Sequence, residues 1–207
     1  MTPLILTSMA DMHNLTADTI IDVRSPAEYA EDHLPGAINL PVLNDIERAE
    51  VGAIYKQVSP FTARKIGGAL VARNTATHLQ GALAGKDGAW QPLIYCWRGG
   101  QRSSAFATIL DQVGWRVKLL QGGYQSYRRE IVRTLYKTPL PHRLMLISGS
   151  TGTAKTALLH QLVAKGAQVL DIEEIAAHRG SLFGGIGIAQ PSQKMFETSI
   201  ASRLATL

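Results

Sequence analysis

Over its first 136 residues the chain alternates short apolar runs with segments of helical periodicity, and this pattern restricts the fold more than any other feature. Helical patterns include a long one over 43–85 that Pro60 interrupts. Strand-like runs lie before, between and after the helical patterns, at 19–23, 93–96 and 116–120, and 33–40 is a turn that leads into a short strand. Because strands that alternate with helices form a mostly parallel sheet with helices on both faces, we predict an α/β fold here.

Cys96, the only cysteine, lies at one of these strand ends. The apolar run Leu93–Tyr95 leads into it, and the pair Gly99-Gly100 follows shortly after. Since ligands of parallel sheets bind at the carboxyl ends of strands, Cys96 falls where a substrate would bind. We then expect a helix with Ser103 and Ser104 as its caps and an apolar face made of Ala105, Phe106, Ile109, Leu110 and Val113.

The surroundings of Cys96 favour the thiolate form of its side chain. Backbone N–H groups and a helix N-terminus stabilise negative charge, and Arg98 and Arg102 add positive charge. The alternative is a buried, inert cysteine, which is the commoner role of a lone cysteine. A core cysteine does not need a glycine-rich cationic loop directly after it. We therefore predict that Cys96 is a nucleophile, with an anion-binding loop of Trp97, Arg98, Gly99, Gly100, Gln101 and Arg102.

Composition sets the class of protein. The 207 residues are 45% apolar and 18% charged, which is typical of globular domains. One cysteine excludes a disulfide framework, and the six histidines show no metal-ligand spacing, so we predict no transition metal. The N-terminus has no signal-peptide pattern, and no run is apolar enough for a membrane span, so we expect a cytoplasmic protein. A net charge of +5 is compatible with a polyanionic partner such as RNA, or with solvated helix faces alone.

The proline-containing stretch 138–142 predicts a linker between a first domain, 1–137, and a second, 143–207. In the second domain, 143–148 predicts a buried strand, 157–164 a helix and 168–172 another strand. This is too little chain for a complete P-loop sheet, and Asp171 is the only candidate for a magnesium-binding acid after the loop. We therefore expect a C-terminally truncated fragment whose half-domain buries little surface.

A loop close to the phosphate-binding pattern G-x-x-x-x-G-K-[ST] follows the first predicted strand of this second domain. Its glycines would let backbone N–H groups wrap phosphate oxygens, its lysine would reach the terminal phosphates, and its threonine hydroxyl could ligate Mg²⁺. Alanine replaces the last glycine of the pattern, which costs more if the backbone φ is positive there. The predicted phosphate-binding residues are Gly149, Ser150, Thr151, Gly152, Thr153, Ala154, Lys155 and Thr156.

Several motifs resemble the rhodanese domain: Asp22-Val23-Arg24-Ser25-Pro26-x-Glu28-Tyr29, His33–Asn39, the Cys96 loop and Leu120-x-Gly122-Gly123-Tyr124. A rhodanese domain followed by a P-loop domain resembles the tRNA 2-selenouridine synthase family, and Tyr95–Gly100 and His178–Gly184 strengthen that match. The resemblance covers essentially the whole chain, which would be the first part of a longer member. It implies a rhodanese-like parallel sheet covered by helices, followed by the first part of a P-loop α/β domain.

This resemblance also implies an activity. Members of the family would replace sulfur by selenium in the wobble 2-thiouridine of tRNA, using selenophosphate. They would also be geranyltransferases that use geranyl diphosphate, with S-geranyl-2-thiouridine as the intermediate. Cys96 would be the essential rhodanese cysteine, and the Gly149–Thr156 loop would hold the prenyl diphosphate. The partners would be tRNA and an enzyme that supplies selenophosphate, and no tightly bound cofactor or membrane is expected.

Five residues separate Cys96 from Arg102, whereas many small rhodaneses have four before the arginine. The longer spacing equals that of cysteine phosphatases, whose loop holds a tetrahedral oxyanion, so we expect the loop to admit selenophosphate. Three other functions stay open. A general rhodanese-type sulfurtransferase using a Cys96 persulfide would leave the P-loop unexplained, and a cysteine phosphatase would need a general acid that is not obvious. A non-enzymatic RNA or nucleotide binder is the third.

Other residues have structural and functional interpretations. We expect Asp22 and Arg24 to form a structural ion pair beneath the loop, and Tyr124 to serve packing. His33, beside Pro35-Gly36, fits turn chemistry better than a catalytic base. Trp97 either stacks on a base or caps the pocket.

Overall fold

The computed structural model describes residues 1–9, 11, 15–150, 152–179, 184–185 and 187–206. The chain divides into two compact units, Met1–Glu130 and Ile131–Leu207. The predicted linker, 138–142, lies in neither a helix nor a strand. Among the described residues, none of the helices combines the length and the apolar character that crossing a membrane requires.

A five-stranded parallel sheet organises the first unit. Its strands are β1 (Thr2–Leu4), β2 (Thr19–Asp22), β3 (Ala37–Asn39), β4 (Pro92–Tyr95) and β5 (Lys118–Leu120), in the order β1-β5-β4-β2-β3. Every pairing is parallel. Leu93, Ile94 and Tyr95 in the central strand are fully buried, as expected for a parallel sheet covered on both faces. The predicted α/β fold is therefore confirmed.

Among the described residues, five helices connect the strands of this unit or follow them. They are α1 (Pro26–Glu31), α2 (Asp45–Gln57), α3 (Pro60–Gln80), α4 (Gln101–Val113) and α5 (Gly123–Tyr136), and the boundary between the two units falls within α5. Proline opens both α1 and α3, where its missing N–H costs nothing. The core beneath them joins strand residues such as Ile21 and Ile94 to Phe106 and Leu110 of α4.

Helix α4 starts earlier than its serines predict. Its N-cap is Gly100, so the prediction that Ser103 and Ser104 cap it is wrong. Both serines lie inside the first turn, and Ser103 is fully buried. Phe106 and Leu110 form the buried face as predicted, whereas Val113 is 55% exposed. Because Ala107 is buried instead, the apolar face is turned slightly from the predicted one.

The second unit is helical wherever regular elements are described: α6 (Lys155–Ala164), α7 (Ile172–Ile175) and α8 (Gln193–Leu204). The predicted helix after the glycine-rich loop is thus present, and Ser192 caps α8. The predicted strands at 143–148 and 168–172 are absent, and the described residues contribute only a single β-bridge, between His178 and Gly185. A strand needs a hydrogen-bonding neighbour, and the described part of this unit supplies none. Leu144, Met145 and Leu146 are consequently exposed.

Candidate functional site

Cys96 follows β4 directly, at the carboxyl edge of the sheet. Its Sγ accepts a hydrogen bond from the Gly100 backbone N–H at 3.3 Å and lies 3.1 Å from the Ser103 hydroxyl oxygen. The residue is only 3% exposed, so the sulfur lies at the floor of the loop rather than at its rim. Although Cys96 packs against the apolar core, these two polar contacts mean that its sulfur is not enclosed by hydrocarbon alone.

The Ser103 hydroxyl has two acceptors within reach. It donates to the Gly100 carbonyl at 3.1 Å, and the sulfur of Cys96 lies at the same distance. A hydroxyl has one proton, so it donates to one of them at a time. When the sulfur is a thiolate it cannot donate, and the Ser103 proton then stabilises its negative charge. The start of α4 also favours negative charge on the sulfur, because the first N–H groups of a helix lack intrahelical partners.

The segment that opens α5 holds the loop from a second side. The backbone N–H groups of Tyr124 and Gln125 donate to the carbonyls of Cys96 and Trp97 at 2.8 and 3.0 Å. Gly123 has a φ of +57°, and a Cβ atom there would lie 2.3 Å from the Cys96 carbonyl oxygen. No residue with a side chain fits this position without moving the loop backbone.

Beneath the loop lies a buried ion pair. Arg24 and Asp22 are both 0% exposed, and the guanidinium donates to both carboxylate oxygens at 2.6 to 3.0 Å. The same guanidinium lies 4.1 Å from the centre of the Tyr124 ring, which in turn stacks on Trp97 at 5.2 Å. The predicted structural pair of Asp22 and Arg24 is present. The Tyr124 hydroxyl donates to Asp32 at 2.7 Å, so Tyr124 does more than pack.

Arg102 is held by a carboxylate. Its two terminal nitrogens donate to the two oxygens of Glu28 at 2.7 and 3.2 Å. Arg48 contacts Glu28 as well, at 3.2 Å, so two guanidinium groups share one carboxylate. Burial alone would raise the pKa of Glu28, but the hydrogen bond and charge of Arg102, together with the Ser25 amide and Arg48, outweigh it and lower that pKa. Arg102 is therefore fixed in orientation before any anion arrives.

The other predicted loop residues are open to solvent or half-buried. The Arg98 side chain is exposed and makes no hydrogen bond or ion pair to the residues that the structure describes. Gly99 adopts a φ of +68°, which favours glycine, and Gln101 begins α4.

The predicted phosphate-binding loop lies in the second unit. Ala154, at the place of the usual glycine, has a φ of +57°, so the alanine occupies a conformation that costs it energy. The Lys155 ammonium donates to the carbonyls of Gly149 and Ser150 at 2.9 and 3.1 Å. The Thr153 hydroxyl donates to the Ser150 carbonyl at 2.8 Å, while Thr156 joins Lys155 in lining a neighbouring cavity.

Parts of the predicted motifs lie outside the described residues: Thr151 of this loop, and Gly180, Ser181 and Phe183 of the His178–Gly184 segment. Asp171 caps α7 through its side chain and lies beside the same cavity as Lys155. Within the described ranges, no three His, Cys, Asp or Glu side chains are grouped so as to hold a metal ion.

Sequence reasoning missed two residues of the Cys96 site. Glu28 is named only as part of the first rhodanese-like motif, and in the structure its carboxylate accepts a hydrogen bond from the Ser25 N–H. Nothing in the sequence pairs it with Arg102, because the two residues are 74 positions apart. The sequence predicts Ser103 as a helix cap, whereas in the structure its hydroxyl contacts the Cys96 sulfur. His33, as expected, serves the turn, with its Nδ1 2.9 Å from the Tyr29 carbonyl.

Two family models match the chain in tandem. Residues 6–130 match the rhodanese-like domain, and residues 142–207 match the tRNA 2-selenouridine synthase AAA domain. The chain belongs to the tRNA 2-selenouridine synthase family. Its domain order thus agrees with the resemblance found in the motifs, and the family assignment made from them is confirmed.

Curated relatives agree with this assignment, and a solved structure is similar to part of the chain. The chain is 42% identical over 193 residues to tRNA 2-selenouridine synthase of Nitrosomonas europaea, and 37% identical over 196 residues to that of Bdellovibrio bacteriovorus. These alignments cover 92% and 91% of the chain but 50% and 49% of the relatives, so the chain spans about half their length. A crystal structure of the N-terminal domain of a Clostridium difficile 630 protein, described as ATP/GTP binding, is 34% identical. The superposition has a TM-score of 0.52. It includes 61% of this chain and 98% of the Clostridium difficile domain.

Proposed function

We propose that this chain carries the selenium-transfer site of a tRNA 2-selenouridine synthase, and that Cys96 is its nucleophile. The observation that supports this most strongly is a single sulfur at the carboxyl edge of a parallel sheet, with the Gly100 N–H and the Ser103 hydroxyl as polar neighbours. Arg98, exposed beside it, and Arg102, oriented by Glu28, supply positive charge for a phosphate-like substrate.

The proposed reaction has two stages. In the first, the sulfur of wobble 2-thiouridine attacks the allylic carbon of geranyl diphosphate; a carbon–sulfur bond forms and diphosphate leaves. Lys155 and the other residues of the Gly149–Thr156 loop would hold the diphosphate, and Thr156 would ligate Mg²⁺. The product, S-geranyl-2-thiouridine, has a better leaving group at carbon 2 than 2-thiouridine itself.

In the second stage the Cys96 thiolate attacks the phosphorus of selenophosphate. A sulfur–phosphorus bond forms, the phosphorus–selenium bond breaks, and hydrogen selenide is released beside carbon 2 of the modified uridine. Selenium bonds to carbon 2 and geranylthiol leaves, after which water releases phosphate from Cys96. A Cys96–selenium carrier would instead hold selenium in a higher oxidation state than selenophosphate does, and would therefore require an oxidant.

Tests in cells separate the two stages. We expect Cys96→Ser, placed in the chromosomal gene, to abolish 2-selenouridine in tRNA and to leave S-geranyl-2-thiouridine, measured by mass spectrometry of wobble nucleosides. Lys155→Ala is the matched variant, and it should lower the S-geranyl nucleoside as well. Persistent 2-selenouridine in the Cys96→Ser strain would remove Cys96 from the reaction.

The general sulfurtransferase stays the second candidate, because residues 6–130 match the rhodanese-like domain. Conversion of thiosulfate and cyanide to thiocyanate by the purified chain, together with normal selenation in the Cys96→Ser strain, would favour it. Loss of 2-selenouridine with no thiocyanate formation would favour the selenium transferase.

A further inference from the structure

A cavity of about 240 Å³ lies beside the Cys96 loop and shares Gln101 and Arg102 with it. Helices α2 and α3 and the start of α4 enclose it. Its lining is mostly apolar, and Val51, Ala63 and Val71 contribute most clearly to that character. Two charged residues, Arg64 and Arg102, also border it.

The cavity borders the candidate site through residues of α4. Arg102, which borders it, lies in the first turn of α4, next to the loop whose Gly100 N–H reaches the Cys96 sulfur. Ser103, the next residue, contacts that sulfur. The loop and the cavity therefore share the first turn of α4. A second, wider hollow of about 590 Å³ shares Leu43, Val51, Tyr55 and Arg102 with it and leads outward along α2.

Two adjacent glycines in the middle of α3 shape the cavity. Glycine weakens a helix interior relative to alanine, so each of them needs a reason. Gly67 has a packing reason, because a Cβ atom there would lie 3.3 Å from a methyl group of Val51. Gly68 has none, because a Cβ atom there would meet no atom within 4 Å. Its missing side chain leaves space that the cavity occupies.

We infer that this cavity holds the apolar chain of an S-alkylated nucleoside while the carbon that bears its sulfur lies at the Cys96 loop. The lining fits a hydrocarbon, which gains free energy by leaving water for an apolar site. The positive border at Arg102 fits the selenophosphate that would lie at the loop end. Gly68 is then a specificity-determining residue, since a side chain as large as leucine would occupy the space of the alkyl chain. This inference rests on the proposed function, in which geranylthiol is the leaving group.

The experiment measures binding of two nucleosides to the purified chain by titration calorimetry. S-geranyl-2-thiouridine is the probe for the cavity, and S-methyl-2-thiouridine is its short-chain counterpart. We expect the geranyl nucleoside to bind at least ten-fold more tightly than the methyl one. Gly68→Leu should lower the affinity for the geranyl nucleoside at least ten-fold and leave the affinity for the methyl nucleoside unchanged.

Control variants separate the cavity from the helix and from the cysteine. The affinity of Gly68→Ala for the geranyl nucleoside should stay within three-fold of wild type. The affinity of Ala69→Leu, which places the same leucine side chain one residue away and outside the cavity, should stay within two-fold. Thermal unfolding should show that Gly68→Leu remains folded, since leucine is a better helix former than glycine. Cys96→Ser should bind the geranyl nucleoside normally, because the cavity rather than the sulfur holds the chain.

The result that overturns the inference is equal binding of the two nucleosides by wild type, or binding of neither. Unchanged affinity of Gly68→Leu for the geranyl nucleoside would also overturn the inference, because the alkyl chain would then bind outside this cavity. Each of these results leaves the role of Cys96 intact, because that role is measured by 2-selenouridine in the Cys96→Ser strain. Conversely, persistent 2-selenouridine in that strain would argue against the role of Cys96, but it would not change the expected difference in binding between the two nucleosides.

Discussion

The Cys96 loop and the Gly149–Thr156 loop begin from similar sequence patterns, an apolar run, a glycine-containing turn and a helix, yet their surroundings differ. The run before Cys96 is the central strand of a parallel sheet, and three of its side chains are fully buried. The run before Gly149 is neither strand nor helix, and Met145 in it is 91% exposed. A loop is positioned by the strand that precedes it, and a strand exists only where neighbours satisfy its backbone.

The same contrast holds for the charged residues of the two loops. Arg102 is oriented by a carboxylate from another helix, and the ion pair of Asp22 and Arg24 supports the loop from below. Lys155 instead donates to carbonyl groups of its own loop. The Cys96 loop is thus preorganised by long-range contacts. The order of the second loop, in the described residues, comes from local hydrogen bonds.

The largest expected difference between the regions concerns these charged residues. Removing Arg24 leaves the buried carboxylate of Asp22 without its partner, so we expect Arg24→Ala to destabilise the first unit by about 3–5 kcal/mol. Lys155→Ala, in contrast, should change stability by less than about 0.5 kcal/mol. Urea unfolding followed by tryptophan fluorescence measures the first effect, because Trp90, Trp97 and Trp115 all lie in the first unit, and amide hydrogen exchange over Lys155–Ala164 measures the second. Equal effects of the two substitutions would contradict the contrast.

A smaller effect, with a pH signature, is expected at Glu28. We expect Glu28→Gln to destabilise the first unit by about 2 kcal/mol at pH 7, as for hydrogen bonds to charged groups. Despite burial, Arg102 and its neighbours lower the pKa of Glu28 below its ordinary 4.5 in the folded protein. The contribution of the carboxylate is therefore fully present above about pH 5 and is lost as the pH falls through that lowered pKa.

The measurement is a series of urea unfolding curves of wild type and Glu28→Gln between about pH 3 and pH 7. The stability difference between the two proteins should shrink as the pH falls below about 4. Glu50→Gln, which removes an exposed acid from α2, serves as the control for the loss of one negative charge. A difference that is constant with pH would mean that the ion pair with Arg102 does not stabilise the fold.

The smallest expected effect concerns Ala154, in the Gly149–Thr156 loop. Ala154 has a φ of +57°, and glycine adopts this conformation without the steric cost, which is about 1 kcal/mol. Because glycine also gains entropy in the unfolded chain, we expect Ala154→Gly to stabilise α6 by less than about 1 kcal/mol. Slower amide hydrogen exchange over Lys155–Ala164 would show it. Gly152→Ala, at a φ of +85°, is the opposite change and should speed exchange there.

The comparison also shows where sequence reasoning succeeded. The break at Pro60, the strand before Cys96 and the helix after Lys155 follow from local rules on prolines and periodicity. The strand predictions at 143–148 and 168–172 failed for one reason. An apolar run carries the propensity of a strand but cannot carry its pairing partner, and the described residues of the second unit supply none.

By itself, the sequence determined the class of fold, the order of its two units, the single sulfur at a strand end and the family to which the chain belongs. Only the tertiary structure decided which groups contact that sulfur, which carboxylate orients Arg102, and that an unfilled position at Gly68 opens a cavity beside the loop. The reason is physical. Caps and periodicity act within a few residues, whereas these contacts join positions far apart in the chain and form only when the helices pack on the sheet.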